Sequence, residues 1–409
     1  MRQKLKIFND PVHGFVNIPN NLLFEIIESR YFQRLRRISQ TGLTHYVYPG
    51  ARHSRFHHAL GCLHLMQEAI QTLRKKSVDI SDEEEQGVLL AILLHDVGHG
   101  PFSHSLEQTL VVGVHHEEIS LAIMHKLNQE FNGELTLAIQ IFKGEYPKFF
   151  LTQLVASQLD IDRLDYLKRD SFFTGVAEGN INPNRIISMM NVHQNQLVID
   201  AKGIYSVEQF LISRTFMYWQ VYFHKNSISA ELYMVSVLRR AKELVKEGQK
   251  VEAPLSLQYF LNHKDLVLDD QTLEHFLNLD DFDLMYAIKL WQNHSDKILS
   301  KLSKMVMGRI LPVSKISENA MEDKELEKKK AEACKLLDIK DASYFVHQTS
   351  FKVKPYSKGK YPISLLYKNG QVKDLIESQH NIMGEVLQRT VEKFHQCYLN
   401  KAKIDKLNL

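Results

Sequence analysis

Apolar residues recur at helical spacing over most of the first 300 or so residues of the chain. Spacings of three and four residues place side chains on one face of a helix, so this pattern predicts a mainly helical N-terminal part. The run Ser81-Asp82-Glu83-Glu84 has the form of a capping box and predicts the start of one helix. The predicted helical segments are 22–40, 54–75, 82–97, 116–131, 150–169 and 206–246, with further helices in 254–307.

The pattern changes after about residue 310. A charged amphipathic helix is predicted at 321–337, and two strand-like segments follow at 344–354 and 361–367. Asn369-Gly370 comes shortly after the second segment and is typical of a type I′ turn. This region therefore has an α+β character.

Residues 5–18 alternate partly between apolar and polar positions, with turn-forming residues in the middle, which predicts a short β-hairpin. We therefore expect a mainly α protein. Its helical core, with the N-terminal hairpin, would span residues 1–308, and a smaller α+β region would span residues 309–409.

Composition narrows the class of protein. Of 409 residues, 44% are hydrophobic and 24% are charged, as in ordinary globular proteins. The net charge of +3 is too small to indicate nucleic-acid binding by itself, and no stretch is long enough for a membrane span. Three distant cysteines and an N-terminus without an apolar signal sequence lead us to expect a protein of the reducing cytoplasm.

Histidine clustering points to metal chemistry. Eleven of the twenty histidines fall between His45 and His125. Imidazole and carboxylate groups packed against apolar segments suit a divalent cation. Two neutral imidazoles and two carboxylates would neutralise such an ion and leave positions for water or substrate. The candidate ligands are His58, His95, Asp96 and Asp162.

Each of these signals also has an ordinary explanation. A His-Asp pair occurs by chance in many proteins, and an acidic residue such as Asp162 on a helix face is usually solvated. His57 and His58 point about 100° apart on a helix, so only one of them should face a metal. His99 lies three residues after Asp96 and four after His95, so it should lie near the metal whether or not it is a ligand.

Five motifs taken together are more specific. They are FNDPVHGFV (8–16), FQRLRRISQTG (32–42), PGARHSRFHHALG (49–61), LLHDVGHGPFSH (93–104) and SQLDIDRLDYLKRDSFFTG (157–175). This set resembles the HD-superfamily deoxynucleoside triphosphate (dNTP) triphosphohydrolases, and most closely the branch related to the human antiviral dNTPase. The resemblance implies an HD-domain helical core and a divalent metal held by the four candidate ligands. It also implies hydrolysis at the α-phosphate, which releases a deoxynucleoside and intact triphosphate.

The resemblance also implies roles for other residues. His116 would be the catalytic histidine with Glu117 beside it, while His99 and His104 would flank the phosphates, with His99 as the second candidate for catalysis. The arginines could instead be ordinary surface cations, and the tyrosines core aromatics. The groups implied to hold the triphosphate are Arg55, Arg163, Tyr166 and Arg214, and those implied to face the sugar are Asp170 and Tyr222.

A second nucleotide site and assembly into a homo-oligomer are also implied. The family's regulatory site uses an Asp, a Gln and an Arg, and here Glu28, Gln33 and Arg36 stand at those positions. Arg34, Arg36 and Arg37 form a cationic cluster that suits a triphosphate or is simply a solvated basic face. The chain departs from the family at Glu107, Arg163 and Phe223, where relatives carry Asp, Lys and a polar residue.

Two other functions stay open at this point. HD proteins also cleave monophosphates, cyclic nucleotides and alarmones, although several cations beyond the metal ligands favour a triphosphate. The chain could also be a nucleotide sensor without catalytic activity. A sensor needs no general acid, so the presence of His116 argues against that alternative.

Overall fold

A β-hairpin opens the described part of the chain. Strands β1 (Lys6–Asp10) and β2 (Gly14–Ile18) pair antiparallel. Asp10 stabilises the turn between them, because its Oδ1 accepts hydrogen bonds of 2.9 Å from the backbone N–H groups of Val12 and His13. The computed structural model describes residues 6–102, 106–107, 109–263, 267–359 and 361–406, and it confirms the predicted hairpin.

Helices form most of the molecule, which confirms the predicted mainly α class. In chain order they are α1 (Asn21–Glu28), α2 (Arg30–Gln33), α3 (Arg55–Lys75), α4 (Asp82–Leu94), α5 (His116–Glu130), α6 (Thr136–Lys143), α7 (Phe149–Val155), α8 (Ile161–Thr174), α9 (Pro183–Met189), α10 (Ile204–Met217), α11 (Lys225–Lys246), α12 (Leu255–Asn262), α13 (Asp270–Leu277), α14 (Asp281–Trp291), α15 (Lys297–Met307), α16 (Asp323–Leu337), α17 (Gly384–Gln388) and α18 (Lys401–Asp405). Short 3₁₀ turns occur at Arg34–Arg37, Gly42–Tyr46, Ala177–Gly179, Ala201–Gly203 and Leu375–Glu377.

Two of the predicted helices are interrupted by residues that form local hydrogen bonds. The predicted helix 22–40 ends early because Ser29 is extended, with ψ 151°, and its hydroxyl donates to the Ile26 carbonyl at 2.6 Å. The predicted helix 150–169 is broken at Asp160, whose side chain accepts from the Arg163 N–H and caps α8. Local capping bonds therefore overrode a continuous apolar pattern.

The predicted helix 206–246 also divides into two. A π-helical turn at Tyr218–Tyr222 follows α10, and the His224 side chain then accepts a hydrogen bond from the Asn226 N–H at the start of α11. π-Helical turns inside helices are frequent at functional sites. This one carries Tyr222, a predicted sugar-facing residue.

Two small sheets join distant parts of the sequence. The first has the order β3 (Met190–His193), β4 (Gln196–Asp200), β7 (Ser364–Leu366) and β8 (Val372–Asp374), with β4 and β7 parallel. The second has the order β5 (Val313–Ser317), β9 (Val391–Tyr398) and β6 (His347–Val353), all antiparallel. The α+β character of the C-terminal region is thereby confirmed.

The predicted type I′ turn between β7 and β8 is wrong in its geometry. Type I′ needs positive φ at both central residues. Gly370 has φ +82°, but Asn369 is not among the described residues with positive φ. The Gly370 N–H instead donates to the Tyr367 carbonyl at 3.0 Å. The loop is therefore a turn that ends in a left-handed glycine.

The hydrophobic core runs through both predicted regions. α15 ends at Met307 and β5 begins at Val313, so the proposed boundary at 308 lies between a helix and a strand. Core residues nevertheless extend continuously from Val16 to Ile404. In the described part of the chain, no helix is both long and apolar enough to cross a bilayer.

Candidate active site

Three helices bring the four predicted metal ligands to one point. His58 lies on the buried face of α3, and His95 and Asp96 follow directly after α4. Asp162 lies in the first turn of α8. The end of one helix, the middle of a second and the start of a third therefore converge.

Close packing of α3 against α8 depends on a glycine. A Cβ added at Gly61 would lie 2.0 Å from Asp165 Oδ1 and 2.2 Å from Arg169 Nη2. Both distances are far inside van der Waals contact, so any larger residue would push the helices apart. Gly61 is one turn beyond His58, and its lack of a side chain lets α8, the helix that carries Asp162, lie close to α3.

The four side chains face one another across short distances. Asp162 Oδ1 lies 3.1 Å from His58 Nε2 and 3.5 Å from His95 Nε2. Asp96 completes the group, with Oδ1 3.5 Å from His95 Nε2 and Oδ2 3.8 Å from His58 Nε2. Both imidazoles thus present the same ring atom, Nε2, to both carboxylates.

The donor set fits a divalent cation. His95 Nδ1 lies 2.7 Å from the Ile92 carbonyl and donates to it, which leaves the Nε2 lone pair free. That Nε2 is buried and has no hydrogen-bond partner in the described structure. A buried orphaned nitrogen is costly unless something binds it. Two carboxylates balance a 2+ charge, so His58, His95, Asp96 and Asp162 would hold a divalent metal.

Cys62 also lies beside this cluster. One ligand atom from each of His58, Cys62, His95 and Asp162 falls within 4.8 Å of the others. Burial raises the pKa of the Cys62 thiol, so the sulfur stays protonated at neutral pH. Because the thiolate is the form that binds metals, we assign Cys62 to packing against His58.

The charged side chains of the cluster shift one another's pKa values. Burial opposes a charge on His58, but the neighbouring Cys62 and hydrogen bonds to Asp162 and Asp165 together hold the His58 pKa well above its usual value. Burial would also raise the Asp162 pKa, yet the two histidines hold that pKa far below its usual value. The carboxylates therefore favour positive charge on the two imidazoles, and a divalent metal bound among these groups would supply positive charge at the same place.

A second cluster adjoins the metal ligands. His99 Nε2 lies 3.2 Å from Asp96 Oδ1, and the His99 ring stacks on His116 with centroids 3.9 Å apart. Burial, followed by the charge of Arg55, lowers the pKa of His99 to about 3. His116 Nδ1 lies 3.2 Å from Glu107 Oε1. The structure therefore brings both predicted catalytic histidines together.

Glu117 is placed differently from the expectation. It is exposed in the first turn of α5, while the carboxylate described against His116 is that of Glu107. Glu107 was noted in the sequence only as a departure from relatives. The spacing of nine residues between Glu107 and His116, with Gly113 between them, carries no helical or strand signal, so this contact was not visible in the sequence.

Arg55 lies against the metal ligands. Its Nη1 is 2.5 Å from Asp96 Oδ2, and the side chain is almost fully buried. Its Nε is buried without a partner in the described structure. A guanidinium beside a metal site is suited to bind an anionic group.

The predicted sugar-facing residues form one hydrogen-bonded group. Tyr222 donates to Asp170 Oδ2 at 2.6 Å, and His53 Nε2 lies 2.6 Å from Asp170 Oδ1. The Tyr166 ring packs edge-on against Tyr222, with centroids 6.2 Å apart. The tertiary structure adds His53 to this group, and the His53 ring also stacks on Phe173.

Two other predicted phosphate-binding groups, Arg163 and Arg214, donate to backbone carbonyls. Arg163 is half-buried, and its Nε donates to the Ser157 carbonyl at 2.7 Å. Arg214 donates from Nη2 to the Pro355 carbonyl at 2.5 Å, which joins α10 to the C-terminal region. His104 lies outside the described residues.

The predicted regulatory residues lie at the end of α1 and just after it. Glu28 is exposed, and Gln33 Nε2 donates to the Ile27 carbonyl at 2.8 Å. Arg36 Nε donates to Gln33 Oε1 at 2.8 Å, and its guanidinium lies 3.6 Å from the centroid of the Phe56 ring. Gln33 and Arg36 are therefore held together, with Arg36 exposed.

The predicted cationic cluster of Arg34, Arg36 and Arg37 is wrong for one of its members, Arg34. Arg34 is 1% exposed and donates to the backbone carbonyls of Val97 and His99 at 3.1 and 2.9 Å, so it cannot receive a triphosphate. Burial lowers the pKa of Arg34 to about 9. Arg37 is paired with Asp280, but its side chain is 45% exposed and it remains on the surface beside Arg36. A basic run cannot reveal which of its arginines points inward.

The chain is similar to known proteins over most of its length. A family model of the HD domain matches residues 55–170, and a model of the HD associated region matches residues 181–346. Protein YwfO of Bacillus subtilis is 34% identical over 98% of this chain and 93% of its own length. The deoxynucleoside triphosphate triphosphohydrolase SAMHD1 homolog of Dictyostelium discoideum is 30% identical over 65% of this chain and 55% of its own length.

Solved structures share the whole fold. The crystal structure of the phosphohydrolase BT4208 from Bacteroides thetaiotaomicron is 47% identical, with a TM-score of 0.93. The match covers 97% of this chain and 100% of that one. A hypothetical protein from Aquifex aeolicus is 26% identical with a TM-score of 0.73, covering 98% of both chains.

Proposed function

The chain belongs to the HD-domain family of phosphohydrolases, and within that family we propose that it hydrolyses dNTPs to a deoxynucleoside and triphosphate. The similarity to the triphosphohydrolase of Dictyostelium supports this substrate class. The HD domain match ends at residue 170 and names no substrate, so the substrate proposal is argued from the residues of the candidate active site.

The observation that carries the proposal is the row of groups beside the metal ligands. His116, held by Glu107 and stacked on His99, lies one side chain away from Asp96. Such a histidine can give a proton to the leaving 5′-oxygen while its Nδ1 is held by the carboxylate. Arg55 offers a cation at the same place, where a polyanionic substrate needs one.

The remaining groups suit the rest of a nucleotide. When bound, the divalent metal would polarise a phosphate oxygen or activate a water molecule. Asp170 and Tyr222 offer an acceptor and a hydroxyl to a sugar, and Tyr166 offers an aromatic wall. We propose that Tyr222 leaves no room for a 2′-hydroxyl and so selects deoxyribose.

A second nucleotide and a homo-oligomer complete the proposal. Arg36 is exposed and hydrogen-bonded to Gln33, and it lies close to Glu28 in sequence. Within the predicted regulatory site, its guanidinium can therefore contact a ligand from solvent. A nucleotide that bound there and bridged two copies would favour the assembled state by mass action.

The deciding experiment is product analysis. Purified protein is loaded with Mn²⁺ or Mg²⁺ and supplied with each dNTP in turn, and the phosphate products are separated by ion exchange. We expect tripolyphosphate and deoxynucleoside in equal amounts. Pyrophosphate with dNMP as the only products would overturn the proposed attack at the α-phosphate, and turnover of monophosphates or cyclic nucleotides alone would assign another substrate class.

A further inference from the structure

Asp165 is a buried carboxylate between the N-terminal hairpin and the metal ligands. It is fully buried, and both of its oxygens are saturated with hydrogen bonds. Oδ1 accepts from His13 Nε2 at 2.7 Å and from Arg169 Nη2 at 2.9 Å. Oδ2 accepts from His58 Nδ1 at 2.7 Å and from Arg169 Nε at 2.8 Å.

The bond to Asp165 determines which nitrogen of the His58 ring faces the other candidate metal ligands. A carboxylate that only accepts requires the His58 proton to sit on Nδ1. The opposite ring atom, Nε2, then points at Asp162 and is the ring nitrogen left to bind a metal. Partners behind a ligating histidine fix both its tautomer and its ring orientation.

The hairpin holds Asp165 in two ways. His13, at the hairpin turn, donates to Asp165 directly, and its side chain is only 2% exposed. Asp10, at the end of β1, accepts from Arg169 Nη1 at 2.7 Å. This bond fixes the guanidinium whose Nε and Nη2 donate to Asp165. The side chains of Asp10 and Arg169 are 3% and 0% exposed, so water competes little for these bonds.

We propose that the N-terminal hairpin is a functional part of the metal centre: through Asp10, His13 and Arg169 it positions Asp165, which in turn orients His58 and sets the affinity for the metal. The inference rests on the metal centre of the proposed function but not on its substrate. His13, Asp10 and Arg169 are positioning residues, because none of them touches the metal site directly.

The test is metal affinity, measured without substrate. Free Mn²⁺ is titrated by electron paramagnetic resonance against the full chain and the variants His13→Ala and Asp10→Asn. We expect each variant to bind Mn²⁺ about 10-fold more weakly, at the lower end of the effect of lost partners behind a ligand. The matched control is Asn17→Ala, an exposed position on β2, which should bind Mn²⁺ like the wild type.

Two further measurements separate positioning from loss of fold. His13→Gln keeps a side-chain donor and should recover most of the affinity. Asp165→Asn should weaken binding by itself, and adding His13→Ala to it should change little, because both act through one path. Co²⁺-loaded His13→Ala should show an altered visible absorption spectrum, since its His58 ligand is differently oriented.

Two results would overturn the proposal. Unchanged Mn²⁺ affinity in both His13→Ala and Asp10→Asn would overturn the proposal. Additive losses in the double variant, with an unaltered Co²⁺ spectrum, would also overturn it and leave a purely structural hairpin. Because no nucleotide is present, failure of the protein to hydrolyse dNTPs would not affect these results.

Discussion

At the scale of single residues, His116 is the side chain best placed to donate a proton. It lies outside the metal set, held by Glu107 and stacked on His99. His116→Ala should keep the metal and lower kcat by about a hundredfold or more, as expected for a lost general acid. Elemental analysis and steady-state kinetics measure the two effects.

The control for this prediction lies on the same helix. His125→Ala changes an exposed histidine of α5 and should leave both metal and kcat unchanged. Glu107→Gln should lower kcat as well, because it weakens the bond to His116 Nδ1. Wild-type activity in His116→Ala would reassign the acid to another group.

Glu231 is one residue whose charge should make stability depend on pH. Burial alone raises its pKa to about 7, against 4.5 for an ordinary glutamate. Below the lower value both folded and unfolded chains carry the proton, and no stability is lost. As pH rises towards 7 the unfolded chain ionises first, so the folded state loses stability, and the loss is complete above 7.

Replacing this carboxyl should remove that pH dependence. Glu231→Gln should stabilise the protein by about 2–3 kcal/mol at about pH 8.5 and by much less at about pH 5. Urea denaturation at both pH values measures the difference. Glu325→Gln, at an exposed position of α16, is the control and should have no effect. Equal stabilisation at the two pH values would exclude ionisation as the cause.

At the scale of elements, the contact between α3 and α8 is the one that places His58 against Asp162. Gly61→Ala would drive a methyl group into Asp165 and Arg169. Overpacking of this kind costs about 1–3 kcal/mol, and here we expect loss of metal affinity as well, because the two ligands separate. Urea denaturation and Mn²⁺ titration measure both effects.

A glycine in a less crowded helix provides the comparison. A Cβ at Gly384 in α17 would meet the Asn381 side chain at 3.2 Å, a contact that a small shift relieves. Gly384→Ala should therefore change neither stability nor metal affinity appreciably. If Gly61→Ala binds Mn²⁺ as tightly as Gly384→Ala does, the helix contact does not set the metal site.

At the scale of the whole molecule, the proposed assembly depends on which arginines are exposed. Arg36 is exposed, whereas Arg34 is buried and donates hydrogen bonds to the backbone carbonyls of Val97 and His99. In sedimentation with single dNTPs and with pairs, we expect nucleotide to favour a larger species. Arg36→Ala should abolish this response and leave thermal stability unchanged, while Arg34→Gln should destabilise the fold. A monomer under every condition, with hyperbolic kinetics, would exclude nucleotide-driven assembly.

Much of this molecule follows from its sequence. Strong helical periodicity located α3, α4 and α5 closely, because a buried apolar face constrains every turn of a helix. Partial alternation located the N-terminal hairpin. The four candidate metal ligands lie within the sequence motifs, but Asp162, at the start of α8, was singled out as a ligand by the resemblance to the HD family and not by spacing alone.

Only the tertiary structure determined which distant elements pair and which polar side chains are buried between them. The parallel pairing of β4 with β7 joins residues more than 160 positions apart, and no local pattern encodes it. The partners of Asp165 and Arg34 were equally hidden, because a charge on a helix is usually solvated and only packing turns it inward. Sequence periodicity sets which face of an element is apolar, whereas long-range packing decides which polar groups are buried with it and which partners they find.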